Sequence, residues 1–278
     1  MRHWSYAKGH GTENDFVLLL DREGMLDVGP AEVRFLCDRH AGIGADGLLR
    51  VVLAKHVPGW SEDGDLWFMD YRNADGSIAE TCGNGLRVFT RFLLNHDLAS
   101  GPTVRIATRN GVTEASVLPD GRIRVAMGPV SVEDRRVVVR TADGRELPAL
   151  TADVGNPHAV TFPDDIGAIP LHTPPTWSPA EVYPDGANVE FVQIAGPRRV
   201  AMRVYERGVG ETRSCGTGTV AVAAAARLHT GDEHPLPVSY LVDVPGGQVE
   251  VELTDAGTYL TGPAVLVAHG EVAVPEEG

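Results

Sequence analysis

Two near-copies of one short pattern, Glu80-Thr-Cys-Gly-Asn-Gly-Leu86 and Arg213-Ser-Cys-Gly-Thr-Gly-Thr219, lie about half a chain apart in 278 residues. Each Cys-Gly-X-Gly follows a β-like run and opens a helix-like run. A thiol at such a turn meets backbone N–H groups and the positive end of a helix dipole, which favour its thiolate. Glycines there permit a tight turn. A lone cysteine in this setting reads as a small buried hydrophobe. Recurrence at the same place in both halves instead points to a duplicated plan, with Cys82 and Cys215 as a matched acid and base.

The rest of the chain fits a duplicated α+β plan. In the first half, residues 16–20 form a continuous apolar run and read as a buried strand. Residues 31–39 have helical spacing through Val33, Leu36 and Cys37, and strands are expected at 48–53 and 66–71. A helix follows at 83–95 with Leu86, Phe89, Leu93 and Leu94 on one side, then strands at 103–107, 112–118 and 123–127. The second half opens near Gly128-Pro129. It holds a Pro-rich connection at 163–186, strands at 189–194 and 199–205, a loop at 206–214 and a helix at 217–229. Strands near 238–244, 248–253 and 259–268 complete it. The alanines at 223–226 suit a helix enclosed by sheet, where small side chains permit close approach.

Composition narrows the function classes. A net charge of −14 opposes a nucleic-acid or anionic-membrane partner, whose binding face needs excess Lys and Arg. The first eight residues lack an apolar segment of signal-peptide type, and residues 220–226 are too short to span a bilayer, so a cytoplasmic protein is expected. Three cysteines make no disulfide scaffold and lack zinc-site spacing. Cys37-Asp-Arg-His40 reads as a buried helix cysteine beside a surface histidine, so no metal is expected. Lys8 and Lys55 are the only lysines, which disfavours pyridoxal phosphate and its Schiff base. No Walker loop or dinucleotide fingerprint is present, and no cofactor is expected.

Further ordered blocks are Lys8-Gly-His-Gly-Thr-Glu-Asn-Asp-Phe16, Gly42-Ile-Gly-Ala-Asp46, Asn73-Ala-Asp-Gly-Ser77, Val154-Gly-Asn-Pro-His158, Asn188-Val-Glu-Phe191 and Glu206-Arg-Gly-Val-Gly-Glu-Thr212. Together with the two cysteine patterns, and over nearly the whole length, the chain resembles the diaminopimelate epimerase family. That resemblance implies two pseudo-symmetric domains, each a curled, mostly antiparallel sheet around a central helix. The expected domains are 1–127, completed by 264–278, and 128–263, with the active site in the cleft between them.

The resemblance also implies a cofactor-independent isomerase that converts LL-2,6-diaminopimelate to the meso form for lysine and peptidoglycan precursors. Cys82 and Cys215 would work from opposite faces of one α-carbon, and a homodimer is implied. His158 and Glu206 are associated with tuning the two thiols. The N–H groups of Gly83, Asn84, Gly216 and Thr217 would cradle the α-carboxylate. Asn14, Asn73, Asn156 and Asn188 match substrate-binding asparagines, since amides donate to carboxylate and accept from ammonium. Glu206 belongs with them, and Arg207 offers a fork for the distal carboxylate. In one departure, Gly47 stands where many relatives have Gln.

Two other readings compete. Proline racemases and hydroxyproline epimerases use the same paired thiols, but typically show Cys-Gly-His where this chain has Cys82-Gly-Asn84. A cyclic imino acid would also leave Arg207 and the asparagines without partners, which is costly in a closed site. A redox or binding protein would need a resolving Cys-X-X-Cys pair, which is missing.

Overall fold

The computed structural model describes residues 1–79 and 82–275. Glu80 and Thr81 of the first cysteine pattern, and 276–278 of the expected completing segment, lie outside the described residues. The chain divides into two compact units, Met1–Val125 with Pro263–Gly278, and Ala126–Gly262.

Unit 1 contains β1 (Arg2–Gly11), β2 (Asn14–Leu20), α1 (Pro30–Cys37), β3 (Gly47–Leu53), β4 (Trp67–Asn73), α2 (Gly83–Asn95), β5 (Thr103–Thr108), β6 (Gly111–Val117) and the start of β7 (Ile123–Gly128). Unit 2 contains β8 (Ser131–Arg140), β9 (Glu146–Asp153), β10 (Pro157–Thr161), β11 (Thr176–Ser178), β12 (Asn188–Gly196), β13 (Arg199–Glu206), β14 (Gly210–Thr212), α3 (Gly216–Thr230), β15 (Val238–Val244), β16 (Gly247–Thr254) and β17 (Gly257–Gly262). The last strand, β18 (Val265–Val274), pairs antiparallel with β1.

Strand order in unit 1 is β18-β1-β2-β3-β4-β5-β6-β7, parallel only at β2–β3 and β4–β5. Unit 2 repeats it as β8-β9-β10-β12-β13-β15-β16-β17, parallel only at β10–β12 and β13–β15. Each parallel pair needs a crossover, and the second crossover of each unit is its main helix. Thus α2 joins β4 to β5, and α3 joins β13 to β15. One strand differs in origin: the place that β8 fills at the start of unit 2 is filled in unit 1 by the far end of the chain.

Burial explains the local choices. Every side chain of β3 but Arg50 is buried, as is 16–19 of β2. Such unbroken runs mark strands covered on both faces. On one face, Val17, Leu19 and Leu48 pack with Val33, Leu36 and Cys37 of α1. On the other lies α2, whose Leu86, Val88, Phe89 and Leu93 have no exposed surface. In unit 2, α3 packs against β8–β10, β12, β13 and β15–β17. Its Ala221, Ala223, Ala225 and Ala226 are fully buried. The position of α1 is taken here by the Pro-rich connection. Ile169, Leu171 and Tyr183 pack on Val189 and Phe191, so this segment is core as well as connector.

Two expectations need correction. The single strand expected at 259–268 is two, broken at Pro263-Ala264, because β17 ends in unit 2 and β18 pairs with β1 in unit 1. The expected loop at 206–214 contains β14, a short strand folded back on β13. Among the described residues, no helix is long and apolar enough to cross a membrane.

Candidate active site

Both sequence-predicted cysteines are helix N-caps. Cys82 precedes α2 with φ −126° and ψ 121°, and its Sγ accepts from Gly85 N at 3.5 Å. Cys215 precedes α3 with φ −118° and ψ 119°, and its Sγ accepts from Gly218 N at 3.4 Å. The amides of Gly83, Asn84, Gly216 and Thr217 are therefore the first two of each helix, where no intrahelical acceptor exists and anions are favoured.

Around Cys82 the contacts come from β2 and α2. Asn14 opens β2, and its Oδ1 accepts from Asn84 Nδ2 at 3.2 Å and faces the Cys82 thiol at 3.7 Å. Asn14 Nδ2 donates to Asp46 Oδ2 at 2.8 Å, which fixes the amide orientation because a carboxylate only accepts. Asp46 is held in turn by Arg39, which also clamps Asp15. Lys8 completes the cluster, 2.8 Å from Asp15. Burial raises the Asp15 pKa, but hydrogen bonds from Arg39 and Lys8 outweigh it and hold the group at about 2.

The turn that delivers Asp46 depends on Gly42, where a Cβ would lie 1.8 Å from the Phe35 carbonyl oxygen. The departure at Gly47 also has a local cause. A Cβ there would lie 2.7 Å from both Arg72 O and the Tyr71 ring.

One group near Cys82 escaped sequence reasoning. Arg87 is fully buried in α2. Its guanidinium donates to Pro263 O at 2.9 Å, to Thr12 Oγ1 at 3.3 Å and to Asn84 Oδ1. Burial draws its pKa down to about 10, while a thiolate at Cys82 opposes that shift. Cys82 therefore has an acceptor for its proton in Asn14 and a buried cation for its charge.

Cys215 has different neighbours. It is buried, and that burial raises its pKa well above the ordinary thiol value, with the charges of Glu206 and Glu190 adding to the effect. Thr217 Oγ1 lies 3.6 Å from its Sγ and accepts from Asn156 Nδ2 at 3.5 Å. Asn156 Oδ1 lies 3.2 Å from His158 Nε2, and His158 Nδ1 lies 2.6 Å from Glu190 Oε1. His158 and Glu190 have no exposed surface. Glu206 ends β13 and accepts from Thr212 Oγ1.

The remaining candidates are more loosely connected. Asn188 is buried at the start of β12, and its Oδ1 accepts from Arg207 N at 2.9 Å. Arg207 is exposed and donates to Asp185 O at 3.2 Å. Asn73 closes its own turn, with Nδ2 donating to Ser77 Oγ at 3.0 Å. Cys37 is buried in the α1 core, its thiol pushed up to about 12 by burial and then by Asp15. No group of three or more His, Cys, Asp or Glu among the described residues is placed to hold a metal ion.

A sequence model of the diaminopimelate epimerase family matches residues 6–133 and 150–267. A diaminopimelate epimerase of Streptomyces coelicolor is 49% identical over 275 residues, covering 96% of this chain and 94% of the relative. One from Thermobifida fusca is 47% identical, covering 96% and 97%. Among solved structures, a phenazine biosynthesis protein of the PhzF family from Bacillus anthracis superposes with a TM-score of 0.75 at 16% identity, covering 99% of this chain and 100% of that one. A hydroxyproline epimerase from Agrobacterium vitis gives 0.70 at 17% identity, covering 98% and 92%. These distant likenesses establish a shared fold.

Proposed function

The chain belongs to the diaminopimelate epimerase family, and we propose that it converts LL-2,6-diaminopimelate to the meso form using Cys82 and Cys215 as base and acid. The observation that carries this reading is the pair of thiols capping corresponding helices of two equally wired sheets.

The α-proton of an amino acid is very weakly acidic, and the carbanion formed by its loss needs electrostatic stabilisation. The amides of Gly83, Asn84, Gly216 and Thr217 would take the α-carboxylate, with two helix dipoles favouring its negative charge. One thiolate removes the α-proton while the opposite thiol delivers its own to the other face, so each cysteine finishes in the state the other began in. The reverse reaction exchanges the roles. Burial, and then the charges of Glu206 and Glu190, favour the protonated form of Cys215, and Arg87 favours the charged form of Cys82. These charges suit Cys82 to the role of base and Cys215 to the role of acid.

Asn14, Asn73, Asn156, Asn188, Glu206 and Arg207 would recognise the amino and carboxylate groups of the distal centre, with His158 and Glu206 tuning the thiols. A dimer in the cytoplasm, serving lysine and peptidoglycan precursor synthesis, is carried over from the family.

The test is direct. Purified protein, without added cofactor, is given LL-2,6-diaminopimelate and in parallel trans-4-hydroxy-L-proline, and stereoisomers are separated over time. Accumulation of meso product from the first substrate alone supports the reading. Inversion of hydroxyproline, or of neither, contradicts it.

A further inference from the structure

We infer that Glu190 is a positioning residue for this reaction, fixing the His158 ring beneath the N-terminus of α3 and, through Asn156 and Thr217, aligning Cys215. The inference rests on the epimerase reading above.

In β2–β3, Phe16 pairs with Gly47 and Leu18 with Leu49; in β10–β12, His158 pairs with Asn188 and Val160 with Glu190. The two registers therefore match His158 to Phe16 and Glu190 to Leu49. The third residue of each helix gives the same match. A Cβ on Gly85 would lie 3.5 Å from Leu49 and 3.7 Å from Phe16, beside Cys82. A Cβ on Gly218 would lie 2.8 Å from Glu190 Oε1 and 3.3 Å from Cys215 Sγ.

In unit 1 the floor beneath the helix start is thus an apolar pair with no exposed surface. In unit 2 the same floor is an equally buried imidazole and carboxylate. The fold itself is satisfied by the apolar pair. Burying the polar pair costs solvation, and Glu190 Oε2 has no hydrogen-bond partner among the described residues. A polar pair that the architecture does not require, placed against one of the two thiols, has a chemical use.

That use follows from the donors. A carboxylate can only accept, so His158 Nδ1 carries a proton and donates it to Glu190 at 2.6 Å. The ring is thereby held with Nε2 donating to Asn156 Oδ1, an amide oxygen that only accepts. Asn156 in turn donates to Thr217 Oγ1, whose hydroxyl lies against Cys215 Sγ. The contacts run from Glu190 to the thiol within one unit. Without Glu190 the ring is free to rotate, and the chain loses its fixed end.

The experiment uses the full-length enzyme and three variants. E190Q is expected to lower kcat roughly 10²-fold with KM changed less than about threefold. The double variant H158F/E190L installs the pair that unit 1 already uses. It is expected to melt at or above the wild-type temperature while remaining as inactive as H158F alone, so E190L adds no further loss in that background. Proton NMR of wild type is expected to show a low-field His158 ring N–H resonance that E190Q abolishes.

Wild-type kcat in E190Q overturns the inference, as does an active H158F/E190L enzyme. So does a wild-type spectrum lacking the low-field resonance. If wild type fails to invert LL-2,6-diaminopimelate, the functional reading falls instead, while the resonance and its loss in E190Q still report on the pair.

Discussion

Cys82 and Cys215 occupy equivalent points of two sheets with the same strand order, yet their surroundings carry opposite charge. Cys82 has a buried guanidinium, Arg87, and a fixed amide oxygen from Asn14. Cys215 has the carboxylates of Glu206 and Glu190 and deeper burial. Backbone geometry at the two caps is nearly identical, so geometry does not distinguish the thiols. The side chains beneath and beside each helix start do. Duplication supplied two equal positions, and substitution around them made one suited to accept a proton and the other to hold one.

The largest effect expected concerns the equality. Cys82→Ala and Cys215→Ala should each lower inversion by at least about 10³-fold, measured by stereoisomer separation. A variant retaining full inversion would show that one thiol suffices.

The charge asymmetry is tested by alkylation. Iodoacetamide followed by peptide mass spectrometry should label Cys82 first, with Cys215 and Cys37 later because both are buried and burial raises both thiols. Glu206→Gln should speed labelling of Cys215 several-fold, on the order of 10-fold per pKa unit recovered, and leave Cys82 unchanged. Equal acceleration at both sites would break the comparison.

A smaller effect concerns the scaffold of the Cys82 side. The folded-state pKa of Asp15 is depressed to about 2, so its contribution is complete above the ordinary carboxylate range and is lost as pH falls through about 2. Asp15→Asn should therefore cost roughly 2 kcal/mol at neutral pH, with the difference from wild type shrinking below about pH 4. Urea melts at several pH values measure this. The helix ends give the smallest contrast. The main helix of unit 2 ends at Gly231 with φ 64°, whereas that of unit 1 ends at His96 with φ −107°. Gly231→Ala should cost about 1 kcal/mol, read as a lower thermal midpoint.

Much of this plan was legible in the sequence. The helix expected at 83–95 matches α2 (Gly83–Asn95), because the glycines mark its start and its apolar residues recur at helical spacing. The run at 16–20 was legible as a strand for its unbroken apolarity, although Leu20 at its end is exposed. The residue pattern alone does not mark the break between β17 and β18, since β-like residues continue on both sides of Pro263; the boundary at 263/264 came only with the family resemblance, and it is long-range pairing with β1 that separates the strands. β1 itself carries the polar residues of the Lys8 block and gives no clean alternation.

The missed site residues share one cause. Arg87 and Glu190 are charged side chains on elements whose neighbours are apolar, a pattern that ordinarily marks a solvent-facing position. Both are fully buried, and their partners are distant in sequence or on the next turn: Arg87 bonds Pro263 O, Thr12 and Asn84, and Glu190 bonds His158. Asp46 was visible within the Gly42-Ile-Gly-Ala-Asp46 turn, but nothing local signalled that its carboxylate fixes the amide of Asn14.

A single turnover of LL-2,6-diaminopimelate in deuterated water shows whether two thiols act on opposite faces of one α-carbon. The meso product should carry solvent deuterium at the inverted centre, while recovered LL substrate retains its original proton. Product that keeps the substrate's own proton, or substrate that exchanges before inversion, would mean one base serves both faces and would contradict a two-thiol mechanism.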